Sequence, residues 1–212
     1  MARWRPGARE RLEQAALELF VDQGFADTTV PQIAARAGLT TRTFFRHFAD
    51  KREVLFAGDG ELPALVAQLW ADTPADLPPV AAIRHGLTTV ARTRFEYNYD
   101  YLRTRRAVVQ ADDSLREREL RKRSILADAI HHGFTSRGVD EPTAALAAGI
   151  AVTVLGVALN RWLDSEDDLP LADHIHHAVD AIGQLWVPDR LVAAKTWSQN
   201  LAACRCSWLK RL

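Results

Sequence analysis

An all-α fold is what this sequence predicts, and three observations predict it. Strand signals are almost missing, apolar residues return at helical spacing nearly everywhere, and capping residues stand at the start of those runs. They describe a compact head of four short helices at 1–56 and a larger helical body at 57–187. The tail, 188–212, is left unassigned.

In the first helix, Leu12, Ala15, Ala16, Leu19 and Phe20 follow the i, i+3, i+4, i+7, i+8 spacing of one buried face. Gly24 suits the left-handed position that ends a helix, and Phe25 can make the accompanying apolar contact. Thr29-Val30-Pro31-Gln32 reads as a capping box with proline in the first turn, opening a short helix through Ile33, Ala34 and Ala37. Gly38 makes a turn and Thr40 caps a third helix through Phe48. Asp50-Lys51-Arg52-Glu53 reads as a second capping box, opening a fourth helix that Gly58, Gly60 and Pro63 should kink or split.

The body reads as longer helices between breakers. Pro74, Pro78 and Pro79 form a loop before a helix over 80–97, and Asn98 and Asp100 mark a break. A charged run from Arg116 to Arg123 leads into Leu126, Ile130 and Phe134, within a helix over 115–137. Gly138 to Pro142 is a turn. Helices over 144–163 and 171–186 follow, joined by the acidic loop 164–170.

Composition bounds the function. Apolar residues make up 48% of 212 residues, enough for a substantial core. The 27 basic and 27 acidic residues cancel, so any nucleic-acid signal must be local. Cys204 and Cys206, both near the end, exclude a disulfide scaffold and suit a reducing compartment. The start, Met1 to Arg5, leads into no apolar signal segment. The longest uncharged stretch, Ala144 to Asn160, is shorter than the roughly 20 residues a membrane span needs. A cytoplasmic protein without a membrane partner is the expectation.

The head carries the chemistry. Two short helices around a glycine turn form a helix-turn-helix pattern, in which Ala34 and Ala37 let the helices approach closely. On the third helix Phe44 and Phe48 share a face, flanked by Thr40 and His47, and should pack inward. Arg42, Phe45 and Arg46 project the other way. Arginine can bond guanine bidentately in the major groove, and an apolar ring can touch a thymine methyl. Thr41 and Thr43 offer hydroxyls to phosphates. Between residues 36 and 52 stand Arg36, Arg42, Arg46, Lys51 and Arg52 against one acid, Asp50. Lys51 and Arg52 oppose the dipole of the helix they open, which makes sense if a phosphate lies opposite. The plain alternative is a solvated basic face.

These residues bring a family into view. Residues 8–56 resemble the N-terminal domain of TetR-family transcriptional regulators. The likeness runs Ala16-x-x-x-Phe20, Gly24-Phe25, Thr28-Thr29-Val30-x-x-Ile33-Ala34, Ala37-Gly38-Leu39-Thr40, then Thr43-Phe44-Phe45-x-His47-Phe48-x-x-Lys51-x-x-Val54-Leu55. The resemblance implies a DNA-binding head that grips palindromic operator DNA, usually as a repressor. It also implies a ligand-binding and dimerisation body. By position it makes Thr29 and Thr41 phosphate contacts, Arg42 and Thr43 groove-facing, and His47 and Lys51 backbone anchors. Phe45 stands where the family usually has tyrosine, losing a hydroxyl, and Arg42 where the residue is often small.

The resemblance places the homodimer on the last two long helices. The expected interface residues are Gly149, Thr153, Gly156, Ile175, Ala178 and Ile182; an ordinary buried core is the competing account. A small apolar effector is expected among Leu87, Val90, Phe95, Ile130, Phe134, Leu155 and Trp162, with Arg94, Tyr101 and His131 as polar handles. A solid core is again the alternative. His174 and His177 share a helix face beside His176 and Asp173, without further ligands, so a surface or interface cluster is favoured over zinc. No metal or cofactor is expected. Ser207-x-x-Lys210 is a chance match to a catalytic pattern, and no phosphate loop, H-E-x-x-H or nucleophile elbow occurs, so an enzyme is not expected. A constitutive or architectural DNA-binding protein without an inducer is the rival reading.

Overall fold

The computed structural model describes residues 7–185, which form ten α-helices and no strand. The charged start, Trp186, Cys204, Cys206 and the Ser207-x-x-Lys210 match lie outside the described residues.

Local signals set the head. Helix α1 (Ala8–Gln23) buries Leu12, Ala15, Ala16, Leu19 and Phe20, together with Leu17. Gly24 ends it at φ +85°, a conformation an L side chain resists. Its amide donates to the Phe20 carbonyl, and the Phe25 ring packs 5.1 Å from that of Phe20. Helix α2 (Val30–Arg36) opens on Thr29 with both bonds of the capping box made. After Gly38, at φ +66°, Thr40 caps α3 (Thr41–His47) by accepting from the Thr43 amide. Helix α4 is a single turn, Glu53–Phe56.

Here the second capping box is only half made. The Asp50 carboxylate accepts from the amides of Arg52 at 2.8 Å and Glu53 at 2.9 Å. The Glu53 carboxylate turns instead to Arg118 of the body, 3.6 Å away. The glycines and Pro63 do split the fourth helix: a 3-10 turn, Asp59–Glu61, separates α4 from α5 (Leu62–Asp72).

In the body, α6 (Pro79–Val90) passes through a π-helical turn (Ala91–Phe95) and a 3-10 turn (Glu96–Asn98) into α7 (Tyr99–Ala111). The irregularity thus begins well before the break expected at Asn98. Asp112 caps α8 (Asp113–Thr135), and Asp140 caps α9 (Glu141–Asp164). Pro142 sits in the first turn of α9, where a missing amide costs nothing, so the helix starts before Ala144. Helix α10 is Leu171–Leu185.

Two apolar cores result. The body core joins Ile83, Leu87, Ile130, Phe134, Val154, Trp162 and Ile175. At 24 residues α9 is long and apolar enough to cross a membrane, yet it buries Ala144, Ala147, Ala148, Ala151, Val154, Ala158, Trp162 and Leu163 within the fold. Helices α5 and α8 meet where Gly133 lies under Trp70. A Cβ there would overlap the indole ring, so the close approach requires glycine. Trp70 packs edge-on to Phe134, centroids 4.6 Å apart. Arg137 stacks over the same indole at 4.6 Å while donating to the carbonyls of Trp70, Thr73 and Pro74, closing the end of α5.

The head core is not the head's alone. Phe44, Phe48, Val54, Leu55 and Phe56 pack with Val108 and Val109 of α7 and Leu115 of α8. Leu115 is fully buried there. A division at residue 56 therefore follows the chain but cuts through a continuous core.

Candidate nucleic-acid interface

The recognition surface is built from the short α2–α3 pair. Ile33, Ala34 and Ala37 are buried where α2 meets its neighbours. Arg11 reaches from α1 to the carbonyls of Ala37 and Gly38, satisfying the end of α2. Phe44 and Phe48 anchor α3 from below, rings 5.5 Å apart. The opposite face of α3 stands in solvent. Arg42, Phe45 and Arg46 are exposed, Phe45 by 59%, and with Thr43 they line one shallow cleft. A ring that large left open is the anomaly of the head, since the neighbouring Phe44 and Phe48 are buried. Phe45 stays in place by packing edge-on against Phe44, 5.5 Å between centroids.

The other candidates fall around this face. Thr29 and Thr41 are exposed, and Thr43 and His47 are half-buried. Thr40 is exposed rather than packed inward, because its hydroxyl is spent on capping α3 and lies 3.1 Å from the Thr43 hydroxyl. His47 lies 3.5 Å from the Arg46 guanidinium.

The basic patch read from residues 36–52 resolves into separate jobs. Arg36 pairs with Glu18 at 3.1 Å and Asp22 at 3.6 Å, so it faces α1. The Gln14 amide and Arg36 hold the Glu18 carboxyl below its ordinary value. Arg52 pairs with Asp50. Burial pushes the Asp50 carboxyl up, but the Glu53 and Arg52 amides and the Arg52 guanidinium outweigh it and keep it ionised below its ordinary value. The partners of Arg36 lie on another helix, 14 and 18 residues earlier, and no local pattern in 36–52 signals them.

Lys51 departs furthest from expectation. Its ammonium donates to the carbonyls of Phe25 at 2.6 Å, Ala26 at 3.0 Å and Thr28 at 2.9 Å, and it sits 4.4 Å from the Phe25 ring centroid. All three of its protons are committed to the loop between α1 and α2. These contacts give the unfavourable placement of Lys51 beside a helix start an intramolecular reason. Lys51→Met is expected to lower the stability of the head by about 1–3 kcal/mol, because three carbonyls lose a charged donor. Urea denaturation checks this; unchanged stability with a shallower salt dependence of DNA binding would restore the phosphate role.

Body candidates are dispersed. Leu87, Ile130, Phe134 and Trp162 belong to the body core, with Phe95 and Leu155 packed against it. Val90 and His131 are half-buried, and His131 lies 3.0 Å from Glu141. Arg94 is exposed, and Tyr101 lies in a cleft against α1 with Leu17, Val21 and Asp100. Arg94 thus stands in solvent, and Tyr101 lies beside α1 rather than among the body-core residues. Burial raises the Tyr101 hydroxyl above its ordinary value.

Of the interface candidates, Gly149 and Thr153 are exposed and Gly156 and Ile182 half-buried. Ile175, fully buried, and Ala178 belong to the protomer's own core. The inward face of α10 carries Leu171, Ile175, Ala178 and Val179, which leaves His177, Ala181, Gln184 and Leu185 outward. Of the histidines, His174 is buried 3.4 Å from Asp167 and His176 meets the Thr88 hydroxyl at 3.2 Å. No cluster of three metal-binding side chains occurs among the described residues.

Comparison with known proteins meets this geometry at the head. Residues 13–57 match the family described as bacterial regulatory proteins, tetR family. The transcriptional regulator TcmR of Streptomyces glaucescens is 56% identical over 46 residues, 22% of this chain and 20% of that protein. SrpR of Pseudomonas putida is 51% identical over 49 residues, 23% of each chain. The chain thus covers about a fifth of these relatives' length. A weaker match to the MftR regulator of Mycobacterium tuberculosis, 26% identical, spans 86% of this chain and 93% of that one. Among solved structures, SmeT, the repressor of the Stenotrophomonas maltophilia multidrug efflux pump SmeDEF, superposes with a TM-score of 0.53 at 21% identity, over 82% of this chain and 87% of that one. The fold is that of a helix-turn-helix head on a helical body. The likeness to tetR-family regulators is thus carried by residues 13–57, and that of the body by the fold alone.

Proposed function

We propose that this protein is a cytoplasmic, homodimeric transcriptional repressor that reads a palindromic operator with α3. The carrying observation is the exposed Arg42, Phe45 and Arg46 face, in which Arg42 has no ion-pair partner among the described residues. A guanidinium left unneutralised beside an exposed ring suits a guanine edge next to a thymine methyl. Thr29, Thr41 and Thr43 would meet phosphates, with His47 at the edge of the contact. Residues 1–56 supply the DNA-binding part, and 57–187 dimerise and respond to ligand.

The test is selection of duplexes from a random library, followed by titration of Arg42→Ala. The variant should lose about 1–3 kcal/mol and relax preference at one base position. Binding of random duplex as tightly as selected sites, with only a steep salt slope, would favour the architectural reading.

Dimerisation is assigned to the outward stripe of α9, Leu146, Gly149, Thr153 and Val157, beside that of α10. Leu146 is 69% exposed and Leu185 71%, a large apolar exposure for two neighbouring helices. Gly149 and Gly156 have open space where a side chain would stand. Release by a small hydrophobic ligand is the finer part of the proposal. It is supported by SmeT, solved with triclosan, and by Thermus thermophilus FadR, solved with lauroyl-CoA, both of this fold. A thermal-shift screen of apolar compounds checks it: a ligand should raise the melting point and release operator together.

A further inference from the structure

We infer that Arg105, seconded by Arg118, is the positioning residue through which the body fixes the angle of the DNA-binding head. This rests on the dimeric operator-binding reading above, and it concerns residues that touch no DNA.

The connector between head and body is short and weak by itself. Helix α4 is four residues long, too short to persist without tertiary support. Gly58 and the 3-10 turn at Asp59–Glu61 follow at once. Apolar packing of Val54, Leu55 and Phe56 against Val108, Val109 and Leu115 supplies adhesion, but hydrophobic contact is non-directional and tolerates rotation.

Direction comes from cations of α7 and α8. The Arg105 Nε donates to the Leu55 carbonyl at 2.9 Å, and its Nη2 donates to Glu119 at 2.9 Å. Its guanidinium carbon lies 4.8 Å from the Phe56 ring centroid. Arg118 lies 5.7 Å from the same ring, 3.6 Å from Glu53 and 3.9 Å from Asp59. Lys122 stands 3.1 Å from Asp59, which is 95% buried by residue surface and keeps one carboxylate oxygen without a hydrogen bond. Successive points on the connector, Glu53, the Leu55 carbonyl, Phe56 and Asp59, are thus each held by a body cation.

Arg105 is the strictest of these holds. Its planar fork meets a backbone carbonyl and a carboxylate at once, on opposite sides of the head–body seam. A lysine keeps the charge but not the fixed angle between the two bonds. Burial pushes the Glu119 carboxyl up, yet Arg105, Lys122 and Arg123 together hold it below its ordinary value, so the pair stays charged near neutrality.

The experiment reads head angle and DNA binding separately. Spin labels at exposed Ala35 in α2 and exposed Ala145 in α9 are introduced as cysteines, with Cys204 and Cys206 replaced by serine. Labelled protein is diluted with unlabelled protein, so only distances within one chain are measured. The expected result is a narrow distribution that broadens in Arg105→Gln and in Arg105→Lys, with helicity retained. On selected palindromic duplexes both variants should bind on the order of tenfold more weakly and discriminate less between half-site spacings, while single half-sites bind as before.

A distribution as narrow in both variants as in the parent overturns the inference, whatever happens to DNA binding. So does a broadened distribution with unchanged discrimination between spacings. If the parent selects no paired site, the operator reading fails, and broadening in both variants still supports the clamp.

Discussion

Replacing Val157 by glutamate is expected to abolish dimerisation and operator binding together while leaving the helical content of the protomer intact. Val157 is 44% exposed on the outer stripe of α9, so within one chain the new carboxylate reaches water freely. Against a second copy it becomes a desolvated, unpaired charge, with a penalty of several kcal/mol and a loss of at least a hundredfold in association. A head on a monomer holds one half-site and forfeits the gain of joining two. Sedimentation and operator titration of the same preparation decide the matter. A variant that remains dimeric places the interface elsewhere on the surface.

The second large effect is a reversal of sign. Gly133→Ala is expected to destabilise the protein by about 3 kcal/mol, because the added methyl must displace the Trp70 ring from its place against Phe134 and Arg137. In a Trp70→Ala background the obstacle is gone, and alanine simply favours helix over glycine, so the same change should stabilise by up to about 1 kcal/mol. Chemical denaturation of the four proteins of this double-mutant cycle measures the coupling. Equal effects of Gly133→Ala in both backgrounds would show that the ring moves aside at no cost.

The head was legible in the sequence because its determinants are local. Thr29 with Gln32, Gly24, Gly38 and Thr40 act over three or four residues, and each fixes the backbone where it stands. The helical fold followed from periodicity for the same reason. What eluded that reading depends on partners far along the chain. Arg36 is answered by Glu18 and Asp22, and Lys51 by carbonyls more than twenty residues before it. Ile175 and Ala178 share α10 with outward positions one step away, and helical spacing alone does not say which face meets the protomer's own core. The charged run of α8 carries no local sign of its partners, yet Arg118 and Lys122 turn to Asp59 and Glu53.

The shared core also bears on how the chain is made. Synthesis delivers the first four helices about sixty residues before Leu115, and at ordinary translation rates that interval is roughly 3–12 s. Through it, the nascent head presents Phe56 and its apolar neighbours without the α7 and α8 side chains that cover them. Those seconds are when the head is most exposed to proteases and to other unfinished chains. The packing that covers Phe56 is complete only once the middle third of the chain has left the ribosome.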